Sequence, residues 1–118
     1  MTQEDKELLL KDLCARLPYG VKIQVPYEDG SGYFDEIVWE VNNDGPFHVN
    51  GWGIEYEYVK PYLFPLSSIT KETLEELSAY IDIKNAYVAV EFFNSHHIDY
   101  RGLIEKGLAI DATGLKIY

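Results

Sequence analysis

The chain contains almost no cysteine: Cys14 is the only one in 118 residues. An internal disulfide is therefore impossible, as is usual for proteins of a reducing compartment. Long apolar runs are also missing, since Leu8-Leu9-Leu10 is much too short for a signal-peptide core or a membrane span. The first residues carry acids where a signal peptide carries bases. We therefore expect a cytoplasmic protein that does not bind membranes.

Motifs of the common enzyme classes are absent as well. The sequence has no phosphate-binding loop, Rossmann glycine pattern, zinc cysteine pair or nucleophile elbow. The segments 30–32 and 51–53 are too short to cradle a phosphate and predict turns. Cys14 is expected to be a small core residue of the first helix, because no partner residue indicates a nucleophile. The sequence thus predicts no cofactor and favours a non-enzymatic protein.

Basic residues are scarce: ten Lys and Arg stand against twenty Asp and Glu, for a net charge of −10. A chain of this charge repels a phosphate backbone, which disfavours direct nucleic-acid binding. Residues 23–59 contain no Lys or Arg at all. The acids of this segment are Glu28, Asp29, Asp35, Glu36, Glu40, Asp44, Glu55 and Glu57.

Four of these acids, Glu36, Glu40, Glu55 and Glu57, alternate with apolar residues in predicted strands. Alternation places them on one exposed sheet face, with Ile37 and Ile54 among the inward residues. Like charges on neighbouring strands destabilise a sheet, so such a face favours a basic protein partner. Trp52 is a candidate aromatic contact, and Tyr33 and Tyr62 are also expected to be exposed. A solvated acidic face explains the same pattern.

The fold prediction begins with a core sufficient for one domain over residues 1–118, because 47% of the residues are hydrophobic. A helix is predicted over residues 3–17, capped by Thr2. Period-two alternation over 21–59 predicts an antiparallel β-meander or a small open barrel. Two prolines make the segment 60–66 an extended connector or an edge strand.

C-terminal helices complete a predicted α+β fold. Thr70 caps one over about 71–82. Residues 86–97 fit either a helix or a strand, and we favour the helix. A short helix over 100–106 is expected, with Asp99 as its cap, and a final strand is expected near Tyr118. We expect a monomer or a weak dimer.

The histidine pair His96-His97, followed by Asp99, offers the residue types of a transition-metal site. Neighbouring side chains on a helix point about 100° apart, whereas metalloprotease helices space their histidines at i and i+4. Histidines also suit a helix C-terminus, where the helix dipole favours positive charge. We therefore expect no bound metal here.

Two segments, KPYLFPLSSIT at 60–70 and DYRGLIEKGLA at 99–109, have a distinctive character. With the leucine-rich first helix, they resemble a family of small uncharacterised proteins from gut anaerobic bacteria and their phage-like or mobile elements. The resemblance implies no activity and assigns no site residues.

Three functions remain open on these observations. The first is a non-enzymatic accessory or protein-binding protein of a mobile or phage-like element. The second is an acidic inhibitor, such as an immunity-type protein or a nucleic-acid mimic, acting on a basic enzyme. The third is a metal-dependent enzyme that uses His96, His97 and Asp99.

Overall fold

A computed structural model describes residues 2–27, 29–38, 40–42, 45–47, 58–72, 75 and 86–118. Two helices are bounded in this part of the chain, α1 (Gln3–Arg16) and α2 (Ala86–Ser95), and the predicted α+β class is confirmed. Short 3₁₀ turns span Leu17–Tyr19 and Leu66–Ser68. The strands are β1 (Lys22–Pro26), β2 (Tyr33–Ile37), β3 (Glu40–Asn42), β4 (Gly45–Phe47), β5 (Lys60–Pro65), β6 (Ile98–Asp99) and β7 (Ile110–Asp111).

Helix α1 begins as predicted, because the Thr2 hydroxyl accepts a hydrogen bond from the backbone N–H of Asp5 at 3.0 Å. Its buried face consists of Leu9, Asp12, Leu13 and Arg16. This i, i+3, i+4, i+7 spacing is one side of a helix. Cys14 is exposed, so its predicted core position is wrong. It follows Leu13 by one residue, which places it about 100° from Leu13 and about 150° from the centre of the buried face.

The main sheet has five strands in the order β2-β1-β5-β6, and β7 also pairs with β5. Strands β2 and β5 are antiparallel to β1, whereas β6 and β7 are parallel to β5. The predicted β1–β2 hairpin is therefore present within a mixed sheet that does not close into a barrel. Strands β3 and β4 form a separate two-stranded sheet.

Strand β5 is an inner strand, which differs from the connector or edge strand predicted from its prolines. Pro61 lies opposite Ile23 at one end of the strand, and Pro65 is the last strand residue. The backbone groups between them form the ladder. Phe64 N–H donates to His97 O, and Leu63 O accepts from Ala112 N–H, both at 2.8 Å. Prolines at strand ends thus leave the central pairing intact.

The inner face of the sheet packs on α1. Ile23 and Leu63 are fully buried with Leu9 and Leu13 in one apolar cluster. Alternation directs the neighbouring residues to the opposite side, and the register places them side by side. We call this second side the outer face; its residues are Lys22, Gln24, Pro26, Tyr33, Asp35, Ile37, Lys60 and Tyr62.

The C-terminal half confirms one prediction and modifies two. Residues 86–95 form a helix, α2, as favoured. Of the helix predicted over about 71–82, Lys71, Glu72 and Glu75 are helical, and the rest lies outside the described residues. The final strand is Ile110–Asp111, earlier in the chain than expected. No helix in the described part of the chain is long and apolar enough to cross a membrane.

Residues 100–106 form a turn instead of the predicted short helix. Asp99 does cap it, because its two carboxylate oxygens accept the N–H groups of Leu103 and Ile104, both at 2.9 Å. Gly102 and Gly107 have φ values of 75° and 74°. The left-handed conformation strongly favours glycine, and it interrupts a helix at Gly102.

We expect Leu63→Ala to lower the free energy of unfolding by about 2–5 kcal/mol, because it opens a cavity beneath a central strand. The matched control is Leu66→Ala, at a side chain that is 49% exposed, and it should change stability by less than about 0.5 kcal/mol. Urea unfolding measures both. Equal losses for the two variants would contradict the inner position of β5.

Candidate functional site

The most heavily buried polar group in the described structure is an ion cluster centred on Asp12. One carboxylate oxygen accepts from Arg16 Nε at 2.9 Å, and the other accepts from Arg101 Nη1 at 2.8 Å. The side chains of Asp12 and Arg16 are both fully buried. Charges removed from water in this way are tolerated only when each is paired and hydrogen-bonded.

The remaining donors of Arg16 join three separate elements. Nη2 donates to the carbonyl of Ile98 at 2.5 Å, and Nη1 donates to the carbonyl of Phe93 at 3.4 Å. The ring of Tyr100 lies near both guanidinium groups, 5.4 Å from Cζ of Arg16 and 4.5 Å from Cζ of Arg101. The guanidinium therefore connects α1 to the end of α2 and to β6. These contacts indicate a structural role for the cluster.

The sequence analysis missed this cluster, although its signal was present. Asp12 and Arg16 are an acid–base pair at i and i+4, the spacing at which helical side chains meet. Leu9 and Leu13 have the same i, i+4 spacing, and all four residues form the buried face of α1. Arg101 pairs with Asp12, 89 residues away, and no spacing along the chain indicates this contact.

His97 and Tyr118 form a second buried pair. Their rings stack with centroids 3.7 Å apart and planes 10° from parallel. His97 has a positive φ of 57°, and no hydrogen bond reaches its buried Nδ1 from the described residues. Burial lowers the pKa of His97 to about 4, and the charges of Arg16, His96 and Lys22 act in the same direction.

The hydroxyl of Tyr118 lies inside the β1–β5 ladder. It accepts from the backbone N–H of Lys22 and donates to the carbonyl of Tyr62, both at 2.8 Å. Because Ile23 is opposite Pro61, Lys22 and Tyr62 would be the next pair along the two strands. The hydroxyl thus links the two strands at the position where a direct backbone hydrogen bond of the ladder would be expected. Burial raises the pKa of Tyr118 to about 12.

The three candidate metal ligands, which were not expected to bind a metal, have different surroundings. His96 is exposed and stacks on Phe92, whose carbonyl its Nδ1 approaches at 3.0 Å. His97 stacks on Tyr118, and Asp99 caps a turn. No group of three or more His, Cys, Asp or Glu residues that could hold a metal occurs among the described residues.

The outer face combines a polar centre with exposed apolar flanks. The Tyr62 hydroxyl donates to Asp35 Oδ1 at 2.5 Å and accepts from Gln24 Nε2 at 3.3 Å. Burial and the Asp35 bond raise the pKa of Tyr62 to about 12. Tyr62 is only 4% exposed, so its predicted exposure is wrong. Tyr33 and Ile37 are 64% and 43% exposed, which confirms the prediction for Tyr33.

The predicted acidic face of Glu36, Glu40, Glu55 and Glu57 is wrong for Glu36. Glu36 pairs with Ile23, so it lies half-buried on the inner side, while Ile37 is exposed. Strand β2 carries apolar residues in both alternations, and its register with β1 selected Phe34 for the inner side.

The other predicted partner-binding residues are Glu40, Glu55, Glu57 and Trp52. Glu40 belongs to β3, in the separate two-stranded sheet. Glu55, Glu57 and Trp52 lie outside the described residues.

The fold and its sites thus define an α+β protein with a buried ion cluster behind an exposed sheet face. No protein-family model, curated protein or solved structure matches the chain.

We expect Asp12→Ala to destabilise the protein by about 3–5 kcal/mol, because it leaves the buried Arg16 charge without its partner. Arg101→Ala should cost less, because Arg101 is partly exposed and Asp12 would keep its bond to Arg16. Urea unfolding of both variants measures the difference. A larger loss of stability for Arg101→Ala would show that the ion pair with Arg16 is not the main contribution of Asp12 to stability.

His97 should make stability depend on pH. Its pKa is about 4 in the folded state against an ordinary 6.5, so the unfolded chain takes up the proton first as the pH falls. The stabilisation is complete above pH 6.5 and is lost between pH 6.5 and 4. In His97→Asn, which tolerates positive φ and does not titrate, the slope of unfolding free energy over this window should be smaller.

The control is His96→Asn at the exposed neighbouring ring, and it should reduce the slope much less than His97→Asn, because burial of His97 itself is the largest cause of its lowered pKa. Unfolding in urea at a series of pH values measures all three proteins. Identical slopes for the unchanged protein and His97→Asn would contradict a buried neutral His97.

Proposed function

We propose that the chain is a non-enzymatic, protein-binding accessory protein that binds a basic partner through the outer face. The observation that carries the proposal is the row Tyr33-Asp35-Ile37, in which two exposed apolar side chains flank a carboxylate. Aromatic side chains of this kind are frequent anchors of protein interfaces. A net charge of −10 favours a partner of opposite sign.

The support beneath this row favours recognition by a fixed surface. Asp35 is held by Tyr62, and Tyr62 by Gln24, so the carboxylate does not have to be ordered when a partner binds. Strands β1 and β5, which carry Gln24 and Tyr62, pack through their inner side on the apolar cluster that includes Leu9 and Leu13 of α1. Preorganised contact groups reduce the entropy lost on binding, which makes a rigid sheet face a good recognition surface.

The cellular setting of the proposal is the cytoplasm, as a product of a mobile or phage-like element; this part rests on the sequence resemblance and composition. An acidic inhibitor is the special case in which the basic partner is an enzyme. The metal-dependent alternative has no support from the described geometry, in which His96, His97 and Asp99 form no ligand group.

The test is affinity capture from extracts of the source cells, followed by mass spectrometry and binding measurements with the captured protein. The double variant Tyr33→Ala, Ile37→Ala should bind at least about thirtyfold more weakly, because interface anchors contribute about 2 kcal/mol or more. Binding should also weaken as salt rises, because exposed charges are screened.

Leu66→Ala is the matched control, because it removes an equally exposed apolar side chain outside the outer face. It should bind like the unchanged protein. Circular dichroism and thermal melting establish that all variants are folded. Capture of the same proteins with the same affinity by all three chains would refute the outer face as the binding surface.

A further inference from the structure

Among the described residues, the outer edge of β2 has no strand partner for its backbone groups. Within the described chain β2 pairs only with β1. Tyr27 N–H donates to Gly32 O at 2.9 Å, and Val38 N–H donates to Val21 O at 3.0 Å. In an antiparallel pair the residues that bond to the neighbouring strand alternate. The even-numbered residues of β2 therefore face β1, and the N–H and C=O groups of Tyr33, Asp35 and Ile37 face the edge.

This edge lacks several common protections against strand pairing. Proteins guard exposed edges with charged side chains, above all lysine, with proline, with a bulge or with a very short strand. The charged side chains of β2 are the acids Asp35 and Glu36. Strand β2 has five residues, YFDEI, with neither lysine nor proline. Its register with β1 runs without a bulge from Pro26–Tyr33 to Lys22–Ile37. The edge is straight enough and long enough to accept one more strand.

The charges of β2 select the kind of strand that fits. A second copy paired antiparallel about the centre of β2 would place Asp35 opposite Asp35, and directly opposed like charges are destabilising. Asp35 and Glu36 lie on opposite faces of β2. An incoming strand with a basic residue opposite each of them would be favoured on both faces.

We propose that β2 binds an extended, basic segment of the partner protein by strand addition, with lysine or arginine opposite Asp35 and Glu36 and apolar residues opposite Tyr33 and Ile37. Backbone hydrogen bonds to the three edge residues provide affinity, and the alternating side chains provide selectivity. The proposal rests on the protein-binding function above and names the part of the partner that is recognised.

The probe is the synthetic peptide acetyl-SVKKVVS-amide. Paired antiparallel, its first valine lies opposite Ile37, its two lysines opposite Glu36 and Asp35, and its last valine opposite Tyr33. One variant is N-methylated at the second lysine, whose N–H would face the edge at Asp35. The matched control is N-methylated at the next valine, opposite Phe34, whose N–H would point away from β2.

Titration followed by ¹⁵N NMR should shift the amide signals of Tyr33, Asp35 and Ile37. N-methylation at the edge-facing lysine should weaken binding about tenfold or more, because it removes a backbone bond and places a methyl group against the edge. The control peptide should bind within about twofold of the parent, because its methyl group faces away from β2. In the free protein, hydrogen exchange should be fast at Asp35 and slow at Glu36.

Equal weakening by the two N-methylated peptides, no binding at about 1 mM peptide, or slow exchange at Asp35 would overturn strand addition. These outcomes are separate from the test of the proposed function. If Tyr33→Ala, Ile37→Ala abolishes capture while the two N-methylated peptides behave alike, the outer face binds partners by side chains alone.

Discussion

The described architecture depends most on the hydrogen bonds and the ion pair of the buried Arg16 guanidinium. This guanidinium joins α1 to the end of α2 and to β6, and Asp12 neutralises it while also pairing with Arg101. A charge without solvent is destabilising unless its donors are satisfied, so elements distant in sequence have to meet at one point. The apolar cluster supplies most of the burial, whereas the ion cluster specifies which backbone carbonyls lie beside α1.

Tyr118 has a comparable role within the main sheet. Its hydroxyl joins β1 to β5 within the ladder, and its ring covers His97 at the start of β6. The two centres are close, since the charge of Arg16 contributes to the lowered pKa of His97. The C-terminal segment is thereby tied to the same strands that carry the outer face. That face is displayed on a scaffold held by both sets of polar contacts.

The elements that the sequence predicted well are those set by neighbours along the chain. The Thr2 cap, helix α1, the β1–β2 hairpin and helix α2 all follow from local spacing and capping. Asp99 was also identified as a cap, although the glycines at 102 and 107 made the capped segment a turn. The acidic face was misassigned because β2 has apolar residues in both alternations. The local pattern then favours neither side, and only the register with β1 decides which residues of β2 face the core.

The sequence by itself determined the α+β class, the acidic character and the impossibility of an internal disulfide, because these depend on composition and short-range periodicity. Only the tertiary structure decided that β5 is an inner strand, that Arg101 pairs with Asp12, and that Tyr118 completes the β1–β5 ladder. Each of these contacts joins residues 33 or more positions apart, as from Phe64 to His97 between β5 and β6. The physical reason is that such contacts are selected by burial and by the need to satisfy buried polar groups in three dimensions, and no spacing along the chain encodes that.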